Sequence, residues 1–403
     1  MVTPLEDTKV IDITEEIAGP YCSMELGDIG AEVIKVERLR GDTTRGWGPP
    51  FIGDQSAVFL GLNRNKRSIA LDWTKPEGRD ILLRLAKDAD VFMDDLGVGK
   101  ADSLGFGYEK LSTANPGLVY LSITAFGEKG PFADRPGSEL VAQAMAEVTS
   151  SYGTIGEPPV RAGTDMASTF TGYFSFMGIL SALFRRSHGG RGQKVATSLV
   201  GSALYMRGQL WMAHSDPDEW TGFHLDSYIK PRDHGYTAKD GQFVFGIRGV
   251  AGLESGDFQR LLKDLGLEHM LSNPHWSRFG NVSSTGRYGY LYDDVWNEKF
   301  SKMTLAEITE LIEKKHGGNV YPVNNYEMLF SHPQLPYIDM VEEVEHPTAG
   351  KVKMTGMPWK LHDTPGSVRL PPPLLGQHTD EILHEAGYSQ GEINSLRRAK
   401  VVS

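Results

Sequence analysis

KVIDITEEIAGPYCSMELGDIGAEVIKVE, residues 9–37, reads as a strand, a helix and a second strand. Lys9 to Ile13 is a short apolar run, Ala18-Gly19-Pro20 opens a helix-like stretch to Leu26, and Ala31 to Val36 is a second apolar run. The unit then recurs. Ser68 to Leu71 is strand-like, Lys75 to Asp88 is amphipathic and entered through Pro76, and Val91 to Met93 follows. After another helical stretch comes Leu118 to Ile123. Strands alternating with crossover helices predict an α/β fold with an open, Rossmann-like, mostly parallel sheet. No Gly-x-Gly-x-x-Gly follows the first strand, which disfavours a dinucleotide as ligand.

Further along, Ser138 to Thr149 and Met166 to Arg186 read as long buried helices. Gln193 to Ser198 reads as a strand leading into a helix, Leu199 to Ala213. Polar, proline and aromatic residues then break the periodicity, so 214–235 reads as a linker. A small α/β domain is expected over 236–340. It has a strand at Gly241 to Gly246, helices near Gly256 to Leu265, Asp293 to Met303 and Thr304 to His316, and an apolar piece, Val320 to Val323. The large domain is then 1–213, and 341–403 is a connection plus a C-terminal segment, of which 350–403 returns to the large domain. That tail carries a strand at Lys351 to Met354, Pro371-Pro372-Pro373 and a helix at Thr379 to Ala386. Connections as long as 214–235 and 340–376 are uncommon inside a compact chain, and wrapping a second subunit is one way to satisfy them.

With 41 basic and 52 acidic residues in 403, a net charge of -11 and no run of like charge, the chain has no footprint for nucleic acid or an anionic membrane. An anionic ligand therefore needs a local basic pocket. The single cysteine, Cys22, excludes an internal disulfide framework and a thiolate metal cage, and reads as a small buried apolar residue in a reducing compartment. Met1 to Asp12 has neither the basic nor the apolar region of a secretory signal, and the best apolar helix, Phe170 to Phe184, is interrupted by Thr171, Gly172, Ser175 and Gly178. A cytoplasmic protein without a membrane span is expected.

Nine stretches, in order, carry a resemblance to a known family. They are Ala18 to Tyr21, Gly30 to Glu37, Asn63-Arg64-Asn65-Lys66-Arg67-Ser68-Ile69, Pro76 to Arg79, Gly105 to Tyr108, Gly130-Pro131-Phe132, Gly178 to Leu183, Gly190 to Gln193 and Leu375-Gly376-Gln377-His378-Thr379. On these the chain resembles the class III CoA-transferases, also called the carnitine dehydratase and bile-acid-inducible-protein family. The resemblance implies an interlocked dimer in which each chain threads through the other. It also implies a large domain made from both ends of the chain, and an activity that moves CoA between carboxylic acids. Coenzyme A is then a substrate, and no tightly bound cofactor or metal is expected.

In that chemistry a carboxylate side chain attacks the donor thioester, releasing CoA thiolate and leaving a mixed anhydride. The thiolate then attacks the anhydride to give an enzyme-bound CoA thioester, and the acceptor acid reverses the steps. Backbone N–H groups hold the developing oxyanion. The family's nucleophile resembles an Asp-x-x-Thr-Gly signature, which here reads Ser168-Thr169-Phe170-Thr171-Gly172, so Ser168 stands at the aspartate position. Asp165, three residues upstream, is the alternative nucleophile if the helix start shifts by nearly a turn. Its other reading is an N-cap accepting backbone N–H bonds.

The resemblance makes Ile17, Ala18, Arg38 and Leu71 matches to the family's CoA contacts, with Arg38 suited to a phosphate or else a surface residue beside Arg40. Asp95 and Leu96 occupy contact positions where Asn-Phe-Arg is frequent. Ser103 and Thr74 stand where bases are usual. Fewer bases and an added acid should weaken CoA binding. Together these departures resemble the non-nucleophilic subunit type of succinyl-CoA:benzylsuccinate CoA-transferase in anaerobic toluene degradation. A homologous aspartate-bearing partner is then implied, and the alternative is a self-sufficient homodimer using Asp165. The family's α-methylacyl-CoA racemases need a histidine where this chain has Ser138 and an aspartate where it has Ser168, so racemisation is the remotest reading.

His214, His224 and His234 are evenly spaced but lie in linker-like sequence without a companion carboxylate, which speaks against a metal site. Asp216, Asp218 and Glu219 read as solvated, as does Glu157 in its loop. Tyr205, Trp211, Trp220 and Phe223 suit either a subunit interface or an acyl pocket.

Overall fold

A computed structural model describes residues 2–149, 158–208, 235–246, 256–269 and 296–403. Six strands form its central sheet: β1 (Lys9–Asp12), β2 (Glu32–Glu37), β3 (Lys66–Ala70), β4 (Val91–Asp94), β5 (Val119–Thr124) and β6 (Lys194–Ser198). Every pairing is parallel, and the order is β3-β2-β1-β4-β5-β6. Helices cover both faces, so the strands are buried on both sides and read as continuous apolar runs rather than alternating ones. β4 and β5 are buried at every position. The α/β reading with a parallel central sheet is what the structure has.

Helix α1 (Ala18–Asp28) crosses from β1 to β2, and α2 (Pro76–Lys87) crosses from β3 to β4. Pro76 sits in the first turn of α2, where its missing N–H costs nothing, and the helix buries Ile81, Leu82, Leu85 and Ala86. On the opposite face α1 packs against the long helix α4 (Met166–Ser187), preceded in the chain by the short α3 (Glu139–Met145). The approach is close: a Cβ on Gly172 would lie 2.5 Å from the Ala18 carbonyl oxygen, which leaves room only for glycine there. α5 (Leu199–Met206) follows β6 directly. The helix expected over Ser138 to Thr149 is shorter than its apolar content indicates. Ser138 caps it, accepting the Val141 N–H at 3.5 Å, and Glu147 takes a left-handed φ of 61° just past its end.

The chain divides into two compact units: Met1–Ala146 with Gly163–Met206 and Pro333–Ser403, and Glu147–Ala162 with Arg207–His332. The first holds the parallel sheet. Its C-terminal helices, Thr379–Glu385 and Gln390–Arg398, bury Ile382, Leu383 and Ile393 in one cluster with Ile69 and Leu71, and Val402 bridges Leu71. The second holds a three-stranded antiparallel sheet, Tyr236–Ala238, Gly241–Gly246 and Asn319–Pro322, over a core of Phe243, Leu261, Trp296, Phe300 and Ile312.

Candidate active site

In an open parallel sheet, a crevice forms at the carboxyl ends of the strands where the strand order reverses. Here that point lies between β1 and β4, and a cavity of about 610 Å³ opens there. Its walls come from the turns after β1, β2, β4 and β5 and from the starts of α4 and α5. Ile17, Ala18, Arg38, Asp95, Leu96 and Ser168 all line it. Leu71 does not. Its side chain is fully buried in the core against the C-terminal segment.

Under the turn after β1 lies a fully buried charge cluster. Lys35 reaches Asp42 at 2.8 Å and the Thr14 carbonyl at 2.9 Å, and Lys66 sits 3.7 Å from Asp12. Burial alone would raise the Asp12 carboxyl, but Lys35, Lys66 and the hydroxyls of Ser23 and Thr14 hold it below the usual aspartate value. Burial, reinforced by Lys35, pushes the Lys66 ammonium down to about 7 against the pull of Asp12. These groups hold the β1 turn in place.

Above them the turn presents Glu15, whose Oε1 lies 2.9 Å from Arg38 Nε. The Glu15 N–H donates to Asp95 Oδ2 at 2.9 Å, tying the turns after β1 and β4 together. Burial pushes the Asp95 carboxyl well above the ordinary aspartate range. Its neighbour Asp94, accepting from the Tyr120 hydroxyl at 2.5 Å and the Leu96 N–H at 3.1 Å, is pushed up to about 6, chiefly by burial. Arg38 also lies 5.5 Å above the Trp73 ring.

At the inner end, Ser168 lies in the first turn of α4 and is 7% exposed. Its backbone N–H donates to Glu139 Oε2 at 2.7 Å, and the Ala167 N–H donates to Glu139 Oε1 at 2.9 Å. Gln143 Nε2 steadies the same Oε1 at 2.6 Å. Asp165 occupies the N-cap position of α4 but makes no side-chain capping bond there. The carboxylate that takes the first N–H groups of α4 is Glu139, reaching back from the start of α3. Glu139 and Glu15 were not singled out in the sequence because each acts on a partner that no short-range spacing reveals. Ser103 and Thr74 are exposed and turned to local partners, the Lys100 carbonyl and Asp72.

Tyr205 is 75% exposed and stacks edge-on with Phe174. Trp211, Trp220, Phe223, His214, His224, His234, Asp216, Asp218, Glu219 and Glu157 lie outside the described residues. Among the described residues no group of three or more His, Cys, Asp or Glu is placed to hold a metal ion. Among the described residues one helix, Met166–Ser187, is long and apolar enough to cross a membrane by composition, and half of its apolar window is buried inside the protein.

The family model for CoA-transferase family III matches residues 5–379. Succinyl-CoA:glutarate CoA-transferase of Homo sapiens is 34% identical, covering 100% of this chain and 90% of that protein. The beta subunit of succinyl-CoA–L-malate CoA-transferase of Chloroflexus aurantiacus is 30% identical, covering 99% of this chain and 98% of that one. A CAIB/BAIF family protein from Brucella suis has a similar structure, with a TM-score of 0.80, 29% identity, and coverage of 96% of this chain and 100% of that one. With the crevice at the sheet's switch point and these matches along nearly the whole length, the chain belongs to CoA-transferase family III and is a CoA-transferase.

Proposed function

We propose that this chain is the non-nucleophilic subunit of a cytoplasmic, heteromeric CoA-transferase, and that a homologous partner carries the catalytic aspartate. The two chains interlock in this reading. Together they move CoA from succinyl-CoA, or a similar dicarboxylic-acid thioester, to a second carboxylic acid, with benzylsuccinate a candidate acceptor. Ser168 carries the reading: the resemblance puts the nucleophile at the first turn of α4, and an alkoxide ester there would lose the activation that an anhydride keeps. The names of two relatives support a succinyl-CoA donor, and one of them is named as a subunit. Ile17, Ala18, Ile123 and Leu199 share the cavity wall with Ser168, although most of the remaining lining is polar or charged.

One observation favours a second reading, a self-sufficient homodimer. The carboxylate of Glu139 already sits on the Ser168 and Ala167 N–H groups, which makes it a stronger candidate than Asp165 for a replacement nucleophile. The two readings separate in one experiment. The purified single chain is supplied with succinyl-CoA and an acceptor acid, and the peptides holding Glu139, Asp165 and Ser168 are examined by mass spectrometry. We expect no turnover and no CoA adduct, with activity appearing when an aspartate-bearing homologous chain is co-expressed. An adduct with turnover in the single chain overturns the subunit reading, and the residue it sits on names the nucleophile.

A further inference from the structure

CoA carries a diphosphate and a 3′-phosphate, so a pocket that holds it should be rich in unspent positive charge. This one is not. Glu15, Glu16, Asp95 and Asp134 line it against Arg38, Lys100 and Arg135. Even with Asp95 protonated the balance is only neutral. Lys100 and Arg135 are exposed, with Arg135 lying 4.1 Å from the Phe132 ring, whereas Arg38 is half-buried over Trp73 and is the cation best placed to hold a phosphate firmly. Arg38 already has a carboxylate beside it: its Nε lies 2.9 Å from Glu15 Oε1, though out of hydrogen-bond alignment.

The pairing is built in. Asp95 accepts the Glu15 N–H at 2.9 Å, and Asp42 accepts the Glu16 N–H at 3.3 Å, so the backbone carrying Glu15 is anchored from two sides. Asp42 in turn is clamped by Lys35. The anchored backbone keeps the Glu15 carboxylate close to Arg38, so a phosphate brought to Arg38 lies beside it as a like charge.

We infer that Glu15 is a specificity-determining residue that denies Arg38 to phosphate, so that this chain's own pocket does not take CoA and the heteromer holds one CoA per pair of chains rather than two. The inference rests on the subunit reading and adds a residue and a stoichiometry to it. It applies to CoA binding alone and leaves the chemistry to the partner.

The test is calorimetric titration of CoA into the full single chain, wild type, Glu15→Gln and the double variant Glu15→Gln/Arg38→Ala. Wild type should show no saturable binding at concentrations where E15Q binds, and E15Q should gain about tenfold or more in affinity. The double variant should fall back to wild type, because the gain is routed through Arg38. In the reconstituted heteromer, saturation should come at one CoA per pair. Tight saturable binding by the wild-type chain, or no gain in E15Q, overturns the inference. The wild-type titration decides even if a variant fails to fold. Tight binding without turnover sinks this inference and leaves the subunit reading standing, whereas turnover by the single chain sinks that reading itself.

Discussion

The ion pairs of the first unit fall into two sets that behave oppositely. Arg64 with Asp28, Lys35 with Asp42 and Lys66 with Asp12 are almost wholly shielded from solvent. At the pocket, Arg38 and Glu15 keep 43% and 19% of their side chains exposed. The cations of the buried set come from two of the stretches that carry the family resemblance, Gly30 to Glu37 and Asn63 to Ile69. Asn65 adopts a left-handed φ of 60° and its Oδ1 accepts the N–H groups of Arg369 and Leu370, at 2.6 and 3.0 Å. Arg67 joins Glu32, Glu381 and Glu385. Those signature residues fasten the returning C-terminal segment to the sheet. The family's most legible motif is therefore scaffold, while Ser168, Asp95 and Leu96, which depart from the family pattern, line the pocket.

The comparison breaks most visibly at Arg64. It makes a two-pronged contact with Asp28, with Nε 3.0 Å from Oδ1 and Nη2 2.6 Å from Oδ2, and its Nη1 donates to the Thr355 carbonyl. Arg64→Met leaves Asp28 buried with Asn65 Nδ2 as its remaining side-chain donor. Removing one partner of a buried pair strands the other charge, so a loss of about 3–5 kcal/mol is expected from the urea midpoint of unfolding. A loss below about 1 kcal/mol would mean that the buried pair is no more than a surface one.

Asp94 stands between the two regions, buried like the scaffold but next to the pocket. Its carboxyl is pushed up to about 6 in the fold from an ordinary 3.8. Between those values the folded chain binds more protons than the unfolded one, so its contribution to stability is greatest below pH 3.8 and is lost as pH rises through 6. The swing is at most about 3 kcal/mol. Asp94→Asn should flatten the decline in unfolding free energy between pH 4 and 6 relative to wild type; an unchanged slope would show that Asp94 ionises normally. Smaller again is Glu139→Gln. The amide keeps one acceptor for the α4 N–H groups but loses the negative charge at the helix start, a cost of about 1 kcal/mol in melting experiments.

Much of the scaffold could be read from the chain itself. Apolar runs located all six sheet strands to within about two residues, and Pro76 marked the start of α2, because burial on both faces leaves a strong local pattern. Helix ends were less legible: nothing around Glu147 announces a left-handed residue. At the site the limit was of another kind. Ile17, Ala18, Arg38, Asp95, Leu96 and Ser168 came from resemblance, and the cavity gathers them. Leu71 lies outside that cavity, its side chain turned into the core. Glu139 and Glu15 left no sequence signal at all, since their partners are 28 and 23 residues away and are brought together only by the crossovers.

The finest test of the contrast is the stability of Glu15→Gln. Both members of its pair reach solvent, so water already screens the attraction and the side chains keep much of their freedom when it is lost. Exposed pairs of this kind contribute about 0.2–1 kcal/mol, so the melting temperature should move by little more than a degree or two. The same substitution should change what the pocket binds far more than how firmly the chain folds. A loss of more than about 2 kcal/mol would place Glu15 with Asp28 and Asp42 as part of the scaffold, since only a carboxylate whose partner is otherwise stranded can cost that much. The division between a buried set that builds the sheet's floor and an exposed set that selects the ligand would then fail at the residue on which it most depends.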